Sequence, residues 1–343
     1  MGRKRLSFSM EITGKDIAQI SGARNLIPAG TPVKIAFLGN ETHEQRLNAA
    51  RVIHECGFAP EPIISARRLS SQAEADGLIR AYLAAGKPQR FFIVGGDPAM
   101  PAGPYDNAMR LMESGILARH GITRIGIAGH PEGHPKATDE MLWDALEWKR
   151  AFLSKSGVDF EITTQFGLDP VAVIDWIADL RACGFDNLVR IGVPGPTDAG
   201  KLLRFAQRFG VKSSLGVLRR YGISLTRLLH PVGPERFLQG LGRAMQDKAA
   251  QGRRSGGDIL SHSTPLAAWI RAALAASGGR GAAGRASRDR SGAGTEAEID
   301  GDDLKRTVTG NRSWSGCLDD AQSSKARQWD RAQSGQARSY RRS

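Results

Sequence analysis

The feature that most constrains this chain is an alternation. Short apolar runs at residues 7–13, 33–38, 61–65, 90–94, 124–128, 160–165 and 188–192 are separated by segments whose apolar residues recur at helical spacing. The runs start about as far apart as a strand-helix unit requires. Each is short and apolar, which predicts strands covered on both faces, as in a parallel sheet. The intervening helices are expected at 43–55, 70–85, 106–114, 139–156, 170–182 and 199–209. In the fourth, Met141, Leu142, Ala145, Leu146 and Trp148 form one apolar face after Thr138. Asp169-Pro170 reads as an N-cap followed by proline at the first helical position, where a missing N–H is harmless. Seven such units in a row favour a (βα)8 TIM barrel over an open doubly wound sheet, and no G-x-G-x-x-G or Walker motif follows one of these strands to mark a Rossmann or P-loop domain.

The eighth unit is the weak one. A helical stretch is expected over 215–251, the best remaining strand is a poor one at 258–261, and 265–276 is the candidate closing helix. Beyond it, Gly, Ser, Arg and Asp dominate, a composition that buries too little apolar surface to offset ordering entropy. The expected organisation is a catalytic barrel over 1–276 and a disordered, low-complexity tail over 277–343. No run approaches the length of a membrane span, and the opening MGRKRLSFSMEIT has no apolar core of signal-peptide length. Cys56, Cys183 and Cys317 show neither paired nor metal-ligand spacing, so a reducing cytoplasm and no metal site are expected. The net charge of +13 is compatible with nucleic acid, but equally with a polyanionic cofactor or substrate. Basic residues are not interleaved with aromatics as on nucleic-acid platforms.

The richest chemistry lies in residues 124–135, RIGIAGHPEGHP. An apolar strand there empties into a turn holding His130, His134 and Glu132, stiffened by Pro131 and Pro135. In a barrel the carboxyl ends of all strands meet at one face. That face would gather Glu11, Phe37 and Gly39, Gly96 and Asp97, His130 and His134, and Gln165. Two carboxylates, two histidines and an amide around one mouth suit acid–base chemistry on a polar heterocycle. Taken singly, Glu11 also reads as a salt-bridge partner, Asp97 as a turn cap and Gln165 as a helix cap.

Four segments, FSMEIT, VGGDP, GIAGHPEGHP and ITTQF, resemble in order and spacing the signature segments of the methylenetetrahydrofolate reductase family; the likeness spans roughly residues 7–240. The resemblance implies a (βα)8 barrel that binds FAD. It implies reduction of 5,10-methylenetetrahydrofolate to 5-methyltetrahydrofolate, with NADH or NADPH as electron donor. Carried over, Glu11 is the general acid, and Asp97 stands beside both flavin and folate. Gln165 contacts the folate or the nicotinamide in turn. Phe37, Gly39, Gly96, His130, His134, Ala137, Asp144 and Arg150 fall on flavin-contacting positions. The sequence departs from the family at Ala36, Ile63, Gly95, His130 and Ala151. A folate substrate is implied, with no nucleic-acid or membrane partner, and homo-oligomers are an open expectation. The alternatives are another folate-dependent one-carbon enzyme on the same barrel, or a catalytically silent folate- or nucleic-acid-binding protein.

Overall fold

A computed structural model describes residues 8–194, 197–198, 231–232, 235–250 and 259–264. Seven strands form one parallel, curled sheet in which each lies beside its sequence neighbour: Phe8–Ile12 (β1), Pro32–Ile35 (β2), Ala59–Ser65 (β3), Phe91–Val94 (β4), Arg124–Gly129 (β5), Asp159–Thr164 (β6) and Val189–Pro194 (β7). The crossovers carry Ile17–Gly22 (α1), His43–Glu55 (α2), Gln72–Gly86 (α3), Ala108–Glu113 (α4), Ile116–Arg119 (α5), Asp139–Lys155 (α6) and Pro170–Ala182 (α7). This is an α/β half-barrel, with its helices outside the curl.

Local chemistry explains the boundaries. α2 opens with a capping box, Thr42 accepting from the Gln45 N–H while the Gln45 side chain accepts from the Thr42 N–H. Thr138 caps α6, and Asp169 accepts from the Val171 and Ala172 N–H groups ahead of α7, with Pro170 in its first turn. Helices α2 and α7 keep the expected bounds. The short helices α1 and α5, and a 3-10 turn at Ala66–Arg68, were not foreseen, because so few residues carry no readable period.

The later part of the chain differs from expectation. The helical stretch expected over 215–251 contains a two-residue strand, Pro231–Val232 (β9), antiparallel to Thr197–Asp198 (β8). A helix, Glu235–Ala250 (α8), begins only after Pro234. Prolines 231 and 234 forbid a continuous helix by removing its N–H groups and clashing with the preceding turn. Ile259–Thr264 (β10), offset from the expected 258–261, pairs in parallel with both outer strands: Ser9 opposite His262, and Gly192 opposite His262. The expected helices at 199–209 and 265–276 and the tail over 277–343 lie outside the described residues.

The core has two parts. Ile12, Ile35, Ile64, Ile93, Ile125, Ile127 and Ile162 pack outward against helix residues such as Ile53, Ile79 and Ile177. The inside of the curl is not the apolar fill expected. Lys34, Glu61, Glu161 and Arg190 are all buried there. Lys34 Nζ lies 3.4 Å from Glu61 and 4.0 Å from Glu161, donates to Thr163 Oγ1 at 3.1 Å, and stands over the Phe92 ring. Glu161 receives Arg190 Nε at 2.5 Å and Arg90 at 2.8 Å. Alternation along each strand sends these charges inward and the isoleucines outward. Among the described residues no helix is long and apolar enough to cross a membrane.

Candidate functional site

Because the seven strands are parallel, their carboxyl ends share one rim. Glu11 is half-buried near the end of β1, opposite Lys34 in register, and so lies on the inward face. Asp97 and Gly96 follow β4, the two histidines follow β5, and Gln165 follows β6. Of these groups, the two imidazoles are in direct contact.

Asp97 is largely exposed and receives Arg68 Nη2 at 2.6 Å. Lys136 donates to the Asp97 carbonyl. Arg68 was missed by the sequence reading, because nothing in the run SARRLS distinguishes a rim arginine from a surface one. Its neighbour Arg67 donates to the carbonyls of Pro98, Ala99 and Asp106, and so fixes the loop that carries Asp97. Gly96 has φ +101, and a Cβ there would lie 2.1 Å from Ser65 Oγ, so only glycine allows this approach.

Phe37 and Gly39 sit on a stapled loop. The Arg46 guanidinium lies 3.8 Å from the centre of the Phe37 ring and donates to the carbonyls of Leu38 and Glu41. Gly39 faces Arg68, whose Nη1 would stand 2.6 Å from a Cβ at that position.

The β5 tip is tied to the β6 tip. Glu132 Oε1 accepts from the Leu168 and Asp169 N–H groups at 2.6 and 3.0 Å, and the Gln165 N–H donates to the Gly129 carbonyl. Burial pushes the Glu132 carboxyl above its usual range, the two N–H donors partly opposing it. Glu132 Oε1 therefore organises the tip, while its Oε2 is buried without a hydrogen-bond partner among the described residues. Gly192 completes the junction: a Cβ there would meet the Thr164 carbonyl at 2.5 Å.

His130 and His134 meet edge to face, ring centroids 5.1 Å apart. Burial pushes the His130 imidazole down to about 4, with His134 and Lys149 adding to the effect. It is therefore neutral at physiological pH, and its buried Nδ1 has no hydrogen-bond partner among the described residues. His134 is also lowered, by burial and by Lys136, and its Nδ1 accepts from the Lys136 N–H. Ala137 bridges back to His134.

Two predicted positions lie on α6. Asp144 is exposed on α6. Arg150 lies toward the other end of α6, with Arg90, Asp159 and Asp186, where strands begin. Its guanidinium binds Glu147 at 2.6 Å and the Cys183 carbonyl at 2.8 Å, and covers the Phe185 ring. The structure does not bring Arg150 to the rim.

No protein-family model matches the chain. Among solved structures it is similar to dihydropteroate synthase from Thermus thermophilus, at 13% identity and a TM-score of 0.40, over 81% of this chain and 96% of that one. The same enzyme in complex with 6HMPPP gives 14% identity and 0.41, over 81% and 93%. D-psicose 3-epimerase with D-tagatose from Clostridium cellulolyticum gives 13% and 0.30, over 79% and 98%. Likeness at these scores says nothing about activity.

Proposed function

We propose that the chain reduces 5,10-methylenetetrahydrofolate to 5-methyltetrahydrofolate, with FAD as bound cofactor and NADH or NADPH as donor. On this reading β10 closes the curl into a complete (βα)8 barrel, residues 277–343 being an appended tail. The observation that carries it is the shared rim. Glu11, Asp97, the GHPEGHP tip and Gln165 all stand at carboxyl ends of parallel strands, in the order the resemblance requires.

The rim suits the ring end of a flavin. His130 offers an unpartnered buried nitrogen, Asp97 a carboxylate, Lys136 an amine, and Gly96 a backbone free of Cβ. With Arg150 engaged at the opposite end of α6, Arg68 and Lys136 are the cations that would face the phosphates. When bound, the flavin supplies two-electron transfer between donor and folate. Glu11 would protonate the folate nitrogen released as the five-membered ring opens. Asp97 would favour the cationic form of the substrate, and Gln165 would orient it.

The purified protein is expected to show oxidised-flavin absorbance. Glu11→Gln should leave nicotinamide-driven flavin reduction nearly intact and slow folate reduction ~10²–10⁴-fold, the range for one positioned acid. Equal loss in both half-reactions makes Glu11 structural. The place of Arg150 favours one second reading, a methyl-transferring folate enzyme on the same barrel; that protein would be colourless and would not take up added FAD.

A further inference from the structure

Beside the rim, α6 and α7 enclose a cavity of about 430 Å3 with the β5 tip at its end. That volume suits a small molecule. Trp143 and Trp176 form one wall, ring centroids 5.9 Å apart and tilted by 38°. His130 and Lys149 line it together with Asp175 and Asp179. Asp175 is held by Lys248 at 2.6 Å, and Glu132 Oε1 is turned to backbone N–H groups. Burial pushes the Lys149 amine down to about 8. The cavity therefore holds an amine that sheds its proton readily, beside a neutral imidazole with a spare nitrogen. A desolvated lysine of this kind is a nucleophile toward carbonyl carbon.

We propose that Lys149 captures an uncharged aldehyde in this cavity as a Schiff base, the planar body of the aldehyde lying against Trp143 and Trp176. The nitrogen lone pair attacks the carbonyl carbon, a C–N bond forms, and the carbonyl oxygen takes up the displaced electron pair. His130 Nδ1 accepts the two protons of the nitrogen one after the other and passes each to that oxygen, the first giving a carbinolamine hydroxyl and the second letting it leave as water when the C=N bond forms. Amine and aldehyde give imine and water, and no oxidant or reductant is needed. Aspartates in the wall repel an anionic aldehyde, which sets the preference for an uncharged one. The inference shares His130 with the folate reading but rests on Lys149 and the cavity between α6 and α7, which that reading does not use.

The test is reductive trapping on the full chain. Pyridoxal or pyridoxal 5′-phosphate is added with cyanoborohydride, and the labelled lysines are read by peptide mass mapping. Pyridoxal should label Lys149 ahead of the exposed Lys136 and Lys155, with a rate that reaches half its maximum near pH 8. Relative to Lys155 in the same sample, the phosphorylated reagent should label Lys149 less than pyridoxal does, a ratio that cancels the internal hemiacetal of free pyridoxal. Lys149→Arg should abolish this label, and His130→Gln should slow it while leaving Lys155 labelling unchanged. Labelling of Lys149 no faster than of Lys155 overturns the proposal, and so does an equal Lys149-to-Lys155 ratio with both reagents. Both comparisons are made within the wild-type protein, so they stand even if a variant fails to fold.

Discussion

Replacing Lys34 by Met tests the charged interior of the curl. Lys34, Glu61 and Glu161 are exposed by only 0%, 2% and 3%. Methionine nearly matches the lysine volume and can still cover the Phe92 ring, so little cavity is expected. What is lost is the one cation found near Glu61 among the described residues, together with the bond to Thr163. Glu161 keeps Arg190 and Arg90 and should be little affected. Breaking a buried pair from one side costs about 3–5 kcal/mol, whereas exchanging both partners for apolar side chains is often near neutral. Lys34→Met should therefore lose about 3–5 kcal/mol, and Lys34→Met with Glu61→Leu should regain most of it. Urea unfolding followed by circular dichroism measures both, the midpoint moving while the slope stays fixed. A single variant within about 1 kcal/mol of wild type, or a double variant no better than the single, refutes this account of the cluster.

Three further outcomes can be measured. The His130 imidazole is held neutral in the fold, at about 4 against an ordinary 6.5, so the unfolded chain binds the extra proton between those values. Stability from this group is then fully present above pH 6.5 and drains away as pH falls toward 4, by about 3 kcal/mol in all; urea midpoints across that range should slope less in His130→Asn. Gly129→Ala would place a Cβ 2.5 Å from Trp176 and 2.9 Å from Ile162, and should destabilise by ~1–3 kcal/mol through overpacking, read from thermal unfolding. Deleting residues 277–343 should leave soluble yield and flavin content within about twofold, since that composition supports no packed core; an insoluble product shows that the barrel needs the tail.

The strands could be read because helix-covered parallel strands must be apolar on their outer face, and the isoleucines of PVKI, RIGIAG and DFEITT announce it. The inner face was legible but unread. Lys34, Glu161 and Arg190 each stand alone among apolar neighbours, at the period-two positions that point the other way. The rim positions followed from strand order. Their partners did not, because Arg68 meets Asp97 across 29 residues and Glu132 meets Leu168 across 36. Pairings over such separations exist only once the sheet has curled. Lys149 escaped notice for a related reason: it is an ordinary lysine on a helix until α7 is packed against it.

The inner charges also act on register. In a parallel sheet a slip of one residue turns every side chain of a strand to the opposite face. A slip of β6 would bring Ile162 into the curl and drive Glu161 out among the helices, leaving Arg190 enclosed without its counter-charge and Lys34 with Glu61 alone. Apolar side chains alone would tolerate such a shift, since isoleucine is acceptable on either side of a covered sheet. The charges tell the two faces apart where hydrophobicity does not, so alignments offset by one are penalised electrostatically before the helices settle.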